Sequence, residues 1–214
     1  MTPKPAARQA ETIAAAEELF WRQGYDETSI EDVVQATGLN RYALYNAFGG
    51  KRELFLKVLQ AYQNERKTLF LSALSDPKRG PFDAIREVSE YCIGQMVERA
   101  AGCLMCDVAL DVSRRDEIIA EEVRGYLNEI RCAQEMALKQ AKERGELHGN
   151  ISPKEGAALL VSNMLGASAL ARNGASRREI INVLNTCMKA LSNSEDASKR
   201  RSARNENVTI LKQP

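Results

Sequence analysis

Between Asn40 and Lys51 the chain reads NRYALYNAFGGK. Set on a helix at about 100° per residue, Arg41, Tyr42, Tyr45 and Asn46 share one side, and Leu44, Ala47 and Phe48 share the other. The outward set carries the chemistry of nucleic-acid recognition. Arg41 can hold guanine or phosphate through two parallel hydrogen bonds, Asn40 and Asn46 can bond phosphate or adenine, and Tyr42 and Tyr45 bring hydroxyls on rigid rings. Lys51 adds a cation at the start of the next helix. From 38 to 57 the basic residues Arg41, Lys51, Arg52 and Lys57 face a single acid, Glu53. Thr28 and Ser29 stand at another expected helix start, where free N–H groups suit a phosphate.

A second set with chemistry is Gly102-Cys103-Leu104-Met105-Cys106. A C-x-x-C pair suits a redox couple or half of a zinc site, and the second half is missing. Cys103 falls where a helix should begin, so the helix dipole would favour its thiolate. The competing reading is a small buried hydrophobe. Beyond this the chain offers little to a catalyst. His148 is the only histidine, which removes most triads, zinc sites and imidazole acid–base pairs. There is no glycine-rich phosphate loop, and no carboxylate pair stands apart from the charged helix faces. No catalytic residue, metal site or cofactor is expected.

The elements that must position these residues are helical almost throughout, because apolar residues recur at three- and four-residue spacing while Gly and Pro fall between the segments. A first helix, 7–23, turns Ile13, Ala16 and Phe20 to one side and stops at Gly24. Thr28 with Glu31 forms a capping-box pattern ahead of Ile30, Val33 and Val34, and this short helix stops at Gly38. Asn40 then caps the next helix, with Leu39 placed to staple onto Leu44. Helix, tight glycine turn and second helix is the geometry that lays a recognition helix in the major groove. A long helix over 51–74 follows, with Leu54, Val58, Ala61 and Tyr62 inward and Ser75-Asp76-Pro77 closing it. Further helices are expected over 82–99, 103–112, 116–144, 153–172 and 176–191.

Lys and Arg number 30 against 29 Asp and Glu in 214 residues, so any basic surface is local. The odd count of cysteines, Cys92, Cys103, Cys106, Cys132 and Cys187, reads as thiols rather than a disulfide framework. No apolar run approaches the roughly 18 residues of a membrane span, and no signal peptide opens the chain. A cytoplasmic protein with no membrane partner is expected. Residues 193–214, rich in Ser, Asn, Lys and Arg, read as a disordered tail whose basic run at 199–204 could attract DNA nonspecifically.

At this point the order AAAEELFWRQGYDETSIEDVVQATGLNRYALYNAFGGKRELF resembles the N-terminal domain of the TetR family of bacterial transcriptional regulators over about fifty residues, Glu11 to Tyr62. The resemblance implies that Tyr45, Asn46 and Lys51 meet phosphates and that Arg41, Tyr42 and Ala43 read bases. Two departures stand out: Tyr42 where many relatives carry a small residue, and Gly49-Gly50 in place of a polar pair.

The resemblance further implies an all-α architecture: a three-helix DNA-binding domain at 1–50, a connecting helix at 51–75 and a ligand-sensing and dimerisation domain at 76–192. The small residues Gly156, Ala157, Gly166, Ala167, Ser168 and Ala169 suit close helix packing in a homodimer, the lesser alternative being an internal core. Two-fold symmetry would match a palindromic operator. The implied partners are double-stranded operator DNA and a small-molecule inducer. Met96, Met105, Met136 and Met164 suit an adaptable cavity, though each taken singly is expected in the core. Tyr91 and Tyr126 each bring a hydroxyl for a ligand or for water. The Gly-Cys-Leu run is similar to a branch of the family with electrophile and oxidant sensors, making Cys103 and Cys106 sensor candidates. The expectation is an inducible repressor; the rivals are an enzyme with a DNA-binding tether and an architectural DNA-binding protein.

Overall fold

Nine helices occupy the described residues, 5–74, 79–111 and 116–193, of the computed structural model. In chain order they are α1 (Pro5–Gln23), α2 (Ile30–Thr37), α3 (Arg41–Phe48), α4 (Lys51–Leu74), α5 (Pro81–Arg99), α6 (Leu104–Asp111), α7 (Glu117–Glu143), α8 (Pro153–Arg172) and α9 (Arg177–Leu191). The chain is all-α, an N-terminal helix-turn-helix domain followed by a larger helical domain. The expected stop at Ser75-Asp76-Pro77 and the tail from 194 onward lie outside the described residues. Asn193, placed in that tail, is held: its N–H donates to the Glu146 carbonyl at 2.8 Å.

Helices of eight residues are too short to persist alone, so α2 and α3 exist because of what they bury. Val33 and Leu44 are fully buried in a cluster with Phe20, Leu54, Phe55 and Val58. Phe20 and Phe55 meet edge to face at 4.8 Å. Ala47, expected on this inner side, is exposed, since so short a helix presses only a narrow arc against its neighbours. The capping box ahead of α2 is formed by Ser29 and Asp32 rather than Thr28 and Glu31. Thr28 is buried, and its hydroxyl donates to the Gly24 carbonyl at 2.6 Å.

α4 belongs to both parts of the molecule. It packs on α1, α5 and α7, with partners on the α7 side running from Arg52 to Lys67, and one apolar cluster runs unbroken from Ala16 to Leu191. The C-terminal bundle and the DNA-binding domain thus share one packed core. No helix among the described residues is long and apolar enough to cross a membrane.

Candidate nucleic-acid interface and its link to the C-terminal domain

The turn into α3 is set by three neighbours. Gly38 ends α2 at φ +66°, a left-handed conformation that a side chain disfavours. Leu39 packs on the core. Asn40 caps α3, its Oδ1 accepting the Ala43 N–H at 2.8 Å, which leaves its amide group facing outward. Leu44 then anchors the helix, and the opposite face is presented to solvent.

That face gathers Arg41, Tyr42, Tyr45 and Asn46, all exposed, with Ala43 half-buried at its edge. Tyr42 is 80 % and Tyr45 50 % exposed; the Tyr42 ring is left almost wholly to solvent, while the Tyr45 ring leans toward Gly50. Arg41 pairs across the turn with Glu31 of α2, an exposed pair of the kind that contributes little to stability. A phosphate or guanine edge can compete for that guanidinium. Ser29 is exposed at the N-terminus of α2, while the Thr28 side chain is turned away from this surface.

Two cations of the basic stretch have partners within the fold. The Lys51 ammonium donates to the Thr28 carbonyl and lies 4.4 Å from the centre of the Tyr25 ring. It clamps the start of α4 to the turn before α2, and partial burial lowers its pKa. Any phosphate contact by Lys51 comes from a side chain that already has a structural task. Arg52 leaves the patch altogether. Its guanidinium holds Asp116 through two bonds, Nε to Oδ2 at 2.6 Å and a terminal nitrogen to Oδ1 at 2.9 Å.

Asp116 is itself the N-cap of α7, accepting from the N–H groups of Ile118 and Ile119 at 3.0 and 3.2 Å. The pair ties the DNA-binding domain to the start of α7. Arg52, ahead of these backbone bonds, pulls the Asp116 carboxyl down to about 2. A depressed carboxylate pKa contributes stability that is complete above its unfolded value, about 3.9, and is lost as pH falls through the folded one. This tie therefore holds at neutral pH and weakens only in strong acid.

A second tie was not visible in the sequence. Trp21 at the end of α1 donates its indole N–H to the Gly102 carbonyl at 3.0 Å and meets Tyr62 edge to face at 5.2 Å. Arg99 covers the other side, 4.4 Å from the indole centre, and pairs with Glu18 at 2.9 Å. The only sequence signal was a lone Trp beside the inward Phe20.

Gly102 leads into the cysteine pair. The Cys103 N–H donates to the Ser168 hydroxyl of α8 at 2.7 Å, its carbonyl accepts the Asp107 N–H at 3.0 Å, and its Sγ lies 3.4 Å from the Tyr62 hydroxyl. Cys103 thus sits at the helix start, as expected, but both it and Cys106 are buried. Hydrogen bonding from Cys106, aided by Tyr62 and opposed by burial, brings the Cys103 thiol down to about 7. The same bond and burial push Cys106 up.

The other sensor candidates separate. Met96 and Met164 line a small cavity of about 20 Å³ among α4, α5, α7, α8 and α9, together with Phe70, Cys92 and Gln134. Tyr126 is buried near Tyr62 with ring centres 6.4 Å apart. Tyr91 is exposed and distinct from the cavity lining, because it lies on the outer face of α5. Met105 is fully buried, but Met136 is exposed, against the core expectation, on the outer face of α7. His148 lies exposed in the loop after α7.

Residues 13–58 match the description "Bacterial regulatory proteins, tetR family", and residues 81–187 match "Tetracyclin repressor-like, C-terminal domain". The chain belongs to the TetR family. With the family established, the enzyme reading falls away: this is a helix-turn-helix transcriptional regulator. Among its relatives, the transcriptional repressor ComR of Escherichia coli is 28 % identical over 206 residues, covering 87 % of this chain and 90 % of ComR. A cysteine mutant of the TetR-family regulator CifR, solved with double-stranded operator DNA, superposes with a TM-score of 0.76 at 21 % identity, covering 88 % of this chain and 99 % of CifR. The reduced form of Escherichia coli NemR gives 0.77 at 17 % identity, covering 88 % of this chain and 98 % of NemR. These two likenesses concern the fold.

Proposed function

We propose that this TetR-family protein is a cytoplasmic, homodimeric repressor that grips a palindromic operator with one α3 from each subunit and releases it when a small molecule occupies the C-terminal bundle. The observation that carries this reading is the α3 face itself: Arg41, Tyr42, Tyr45 and Asn46 stand together in solvent, with the Tyr42 ring 80 % exposed. The name of the relative ComR, a repressor, supports the sign. Release follows from geometry. A bound ligand meets no base, so it acts by favouring a dimer whose recognition helices are set off the roughly 34 Å spacing of successive major grooves. Trp21–Gly102 and Arg52–Asp116 transmit that change.

Selection from a pool of random duplexes tests the DNA reading. The dimer should enrich an inverted repeat bound about 10³-fold or more tightly than bulk DNA at physiological salt. Enrichment of no sequence would make the protein an architectural binder instead.

Thiol chemistry is a second trigger, favoured by the lowered Cys103 pKa. Burial reverses the order of attack that the sequence suggests. With iodoacetamide, exposed Cys132 should be alkylated first. Cys103 should follow slowly, at the rate at which the α6 start opens, and operator release should track that slow phase by mass spectrometry and be absent in Cys103→Ser. Release that tracks Cys132, or that persists in the variant, would return Cys103 to a packing role.

A further inference from the structure

Two buried polar atoms in the C-terminal bundle are left without partners. Arg66 of α4 and Gln134 of α7 are each at least nine-tenths buried, yet Arg66 Nε and Gln134 Oε1 make no hydrogen bond. Each unpaired buried group of this kind is costly. None of the ion pairs among the described residues includes Arg66. Its guanidinium lies instead 5.0 Å from the Tyr62 ring centre, 6.0 Å from that of Trp21, and beside the Cys92 thiol. Glu65 acts on it, and half-buried Glu17 feels its charge.

Arg66 and Gln134 line adjoining small cavities that share four wall residues. Gln134 belongs to the 20 Å³ cavity, and Arg66 to a neighbouring one of about 10 Å³ that also touches Trp21, Tyr62, Cys103 and Tyr126. Phe70, Cys92, Met96 and Met164 line both. A guest that spans both cavities would present an anion to Arg66, a hydrogen-bond donor to Gln134 Oε1, and an apolar body to the methionines and rings between.

Building on the ligand-responsive reading above, we infer that the inducer is an aromatic or unsaturated organic acid, with its carboxylate on Arg66 and a hydroxyl or amine donor on Gln134. The space is small, so the guest must push its lining outward. Unbranched Met96 and Met164 yield readily. On the Arg66 side the displaced walls are Trp21, which fastens α1 to Gly102, and Tyr62, which packs edge to face on Trp21. The ligand's chemistry and its leverage on the operator helices thus meet at one residue.

Trp21 is the single tryptophan of the chain and reports on this space directly. The full-length dimer is titrated with 4-hydroxybenzoate and 4-hydroxycinnamate, each beside its primary amide and the acid lacking the hydroxyl, while Trp21 fluorescence and operator binding are read. The acids should quench Trp21 and release operator, and the amides should bind at least about tenfold more weakly, as expected for a lost charge-assisted bond. Arg66→Gln should erase the preference for acid over amide, Arg66→Lys should keep part of it, and Gln134→Leu should erase only the advantage of the hydroxyl. Equal binding of acid and amide by the wild type, which needs no variant to fold, overturns the inference, as does a panel that leaves Trp21 unquenched. If the neutral amides alone release operator, ligand response stands and the anion assignment falls. If the acids bind through Arg66 but leave the operator complex intact, the ligand class stands and release fails.

Discussion

Glutamate at Leu159 or Val183 should split the dimer and weaken operator binding a hundredfold or more. Leu159 of α8 is 43 % exposed and Val183 of α9 47 %, with Leu170 also exposed. Ser162 and Gly166 continue the Leu159 line one helical turn at a time, and Thr186 and Ala190 continue that of Val183. A Cβ built on Gly166 meets nothing within 4 Å in one subunit, which leaves room for a partner helix to approach closely. These faces suit a packing of α8 and α9 against their copies in the proposed dimer. A carboxylate placed there must be buried without a partner, a heavy cost, whereas in the separated subunit it is harmless. A monomer reaches one half-site only. It forfeits the effective concentration that makes the second half-site bind, worth about 10² to 10⁴ in affinity. Sedimentation should show one subunit with unchanged helical content, and anisotropy should show the affinity loss. A variant that stays dimeric with full operator affinity would move the interface elsewhere.

The second large effect is expected at Gly102. Its φ of +69° is left-handed, and an added Cβ would lie 2.7 Å from the Ser168 hydroxyl and 3.0 Å from the Ser168 backbone oxygen. Gly102→Ala therefore combines the left-handed penalty, about 1–2 kcal/mol, with a clash against the Ser168 hydroxyl and a tight approach to the Ser168 backbone oxygen. It also disturbs the Cys103–Ser168 bond and the carbonyl that receives Trp21. A total near 3 kcal/mol should lower Tm by roughly 6–12 °C for a chain of this size. Gly125→Ala is the matched control. That glycine sits in α7 with nothing within 4 Å of an added Cβ, so alanine should raise stability by about 0.5–1 kcal/mol. Equal, small shifts in both variants would mean that the Gly102 turn is not the rigid joint described here.

What the sequence disclosed and what it hid divide along physical lines. The α3 face was legible because a helix of known period with one apolar anchor leaves few choices for its polar side. The cap of α2 was one residue off because Thr28–Glu31 and Ser29–Asp32 satisfy the same local pattern, and the burial of Thr28 decides between them. Arg52 looked like part of the basic patch because its partner Asp116 is 64 residues away and no local spacing encodes that pair. Cys103 was placed correctly at a helix start, yet its burial depends on Ser168 of α8. Arg66 was the least legible. α4 is enclosed on different sides along its length, which blurs its periodicity, and an internal arginine reads from sequence as one more surface charge.

The measurement that bears most directly on the central claim, that the exposed side of α3 reads the operator, is the duplex selection repeated with Tyr42→Ala. Tyr42 is the most exposed large apolar residue of the chain's described part and supports no packing, so the variant should fold and dimerise as the wild type does. The account predicts that it enriches a different or degenerate base at one symmetric pair of positions and loses about 1–3 kcal/mol of discrimination there, while its binding to bulk DNA and its salt dependence stay the same. A folded, dimeric Tyr42→Ala that selects the wild-type operator with undiminished preference would contradict it.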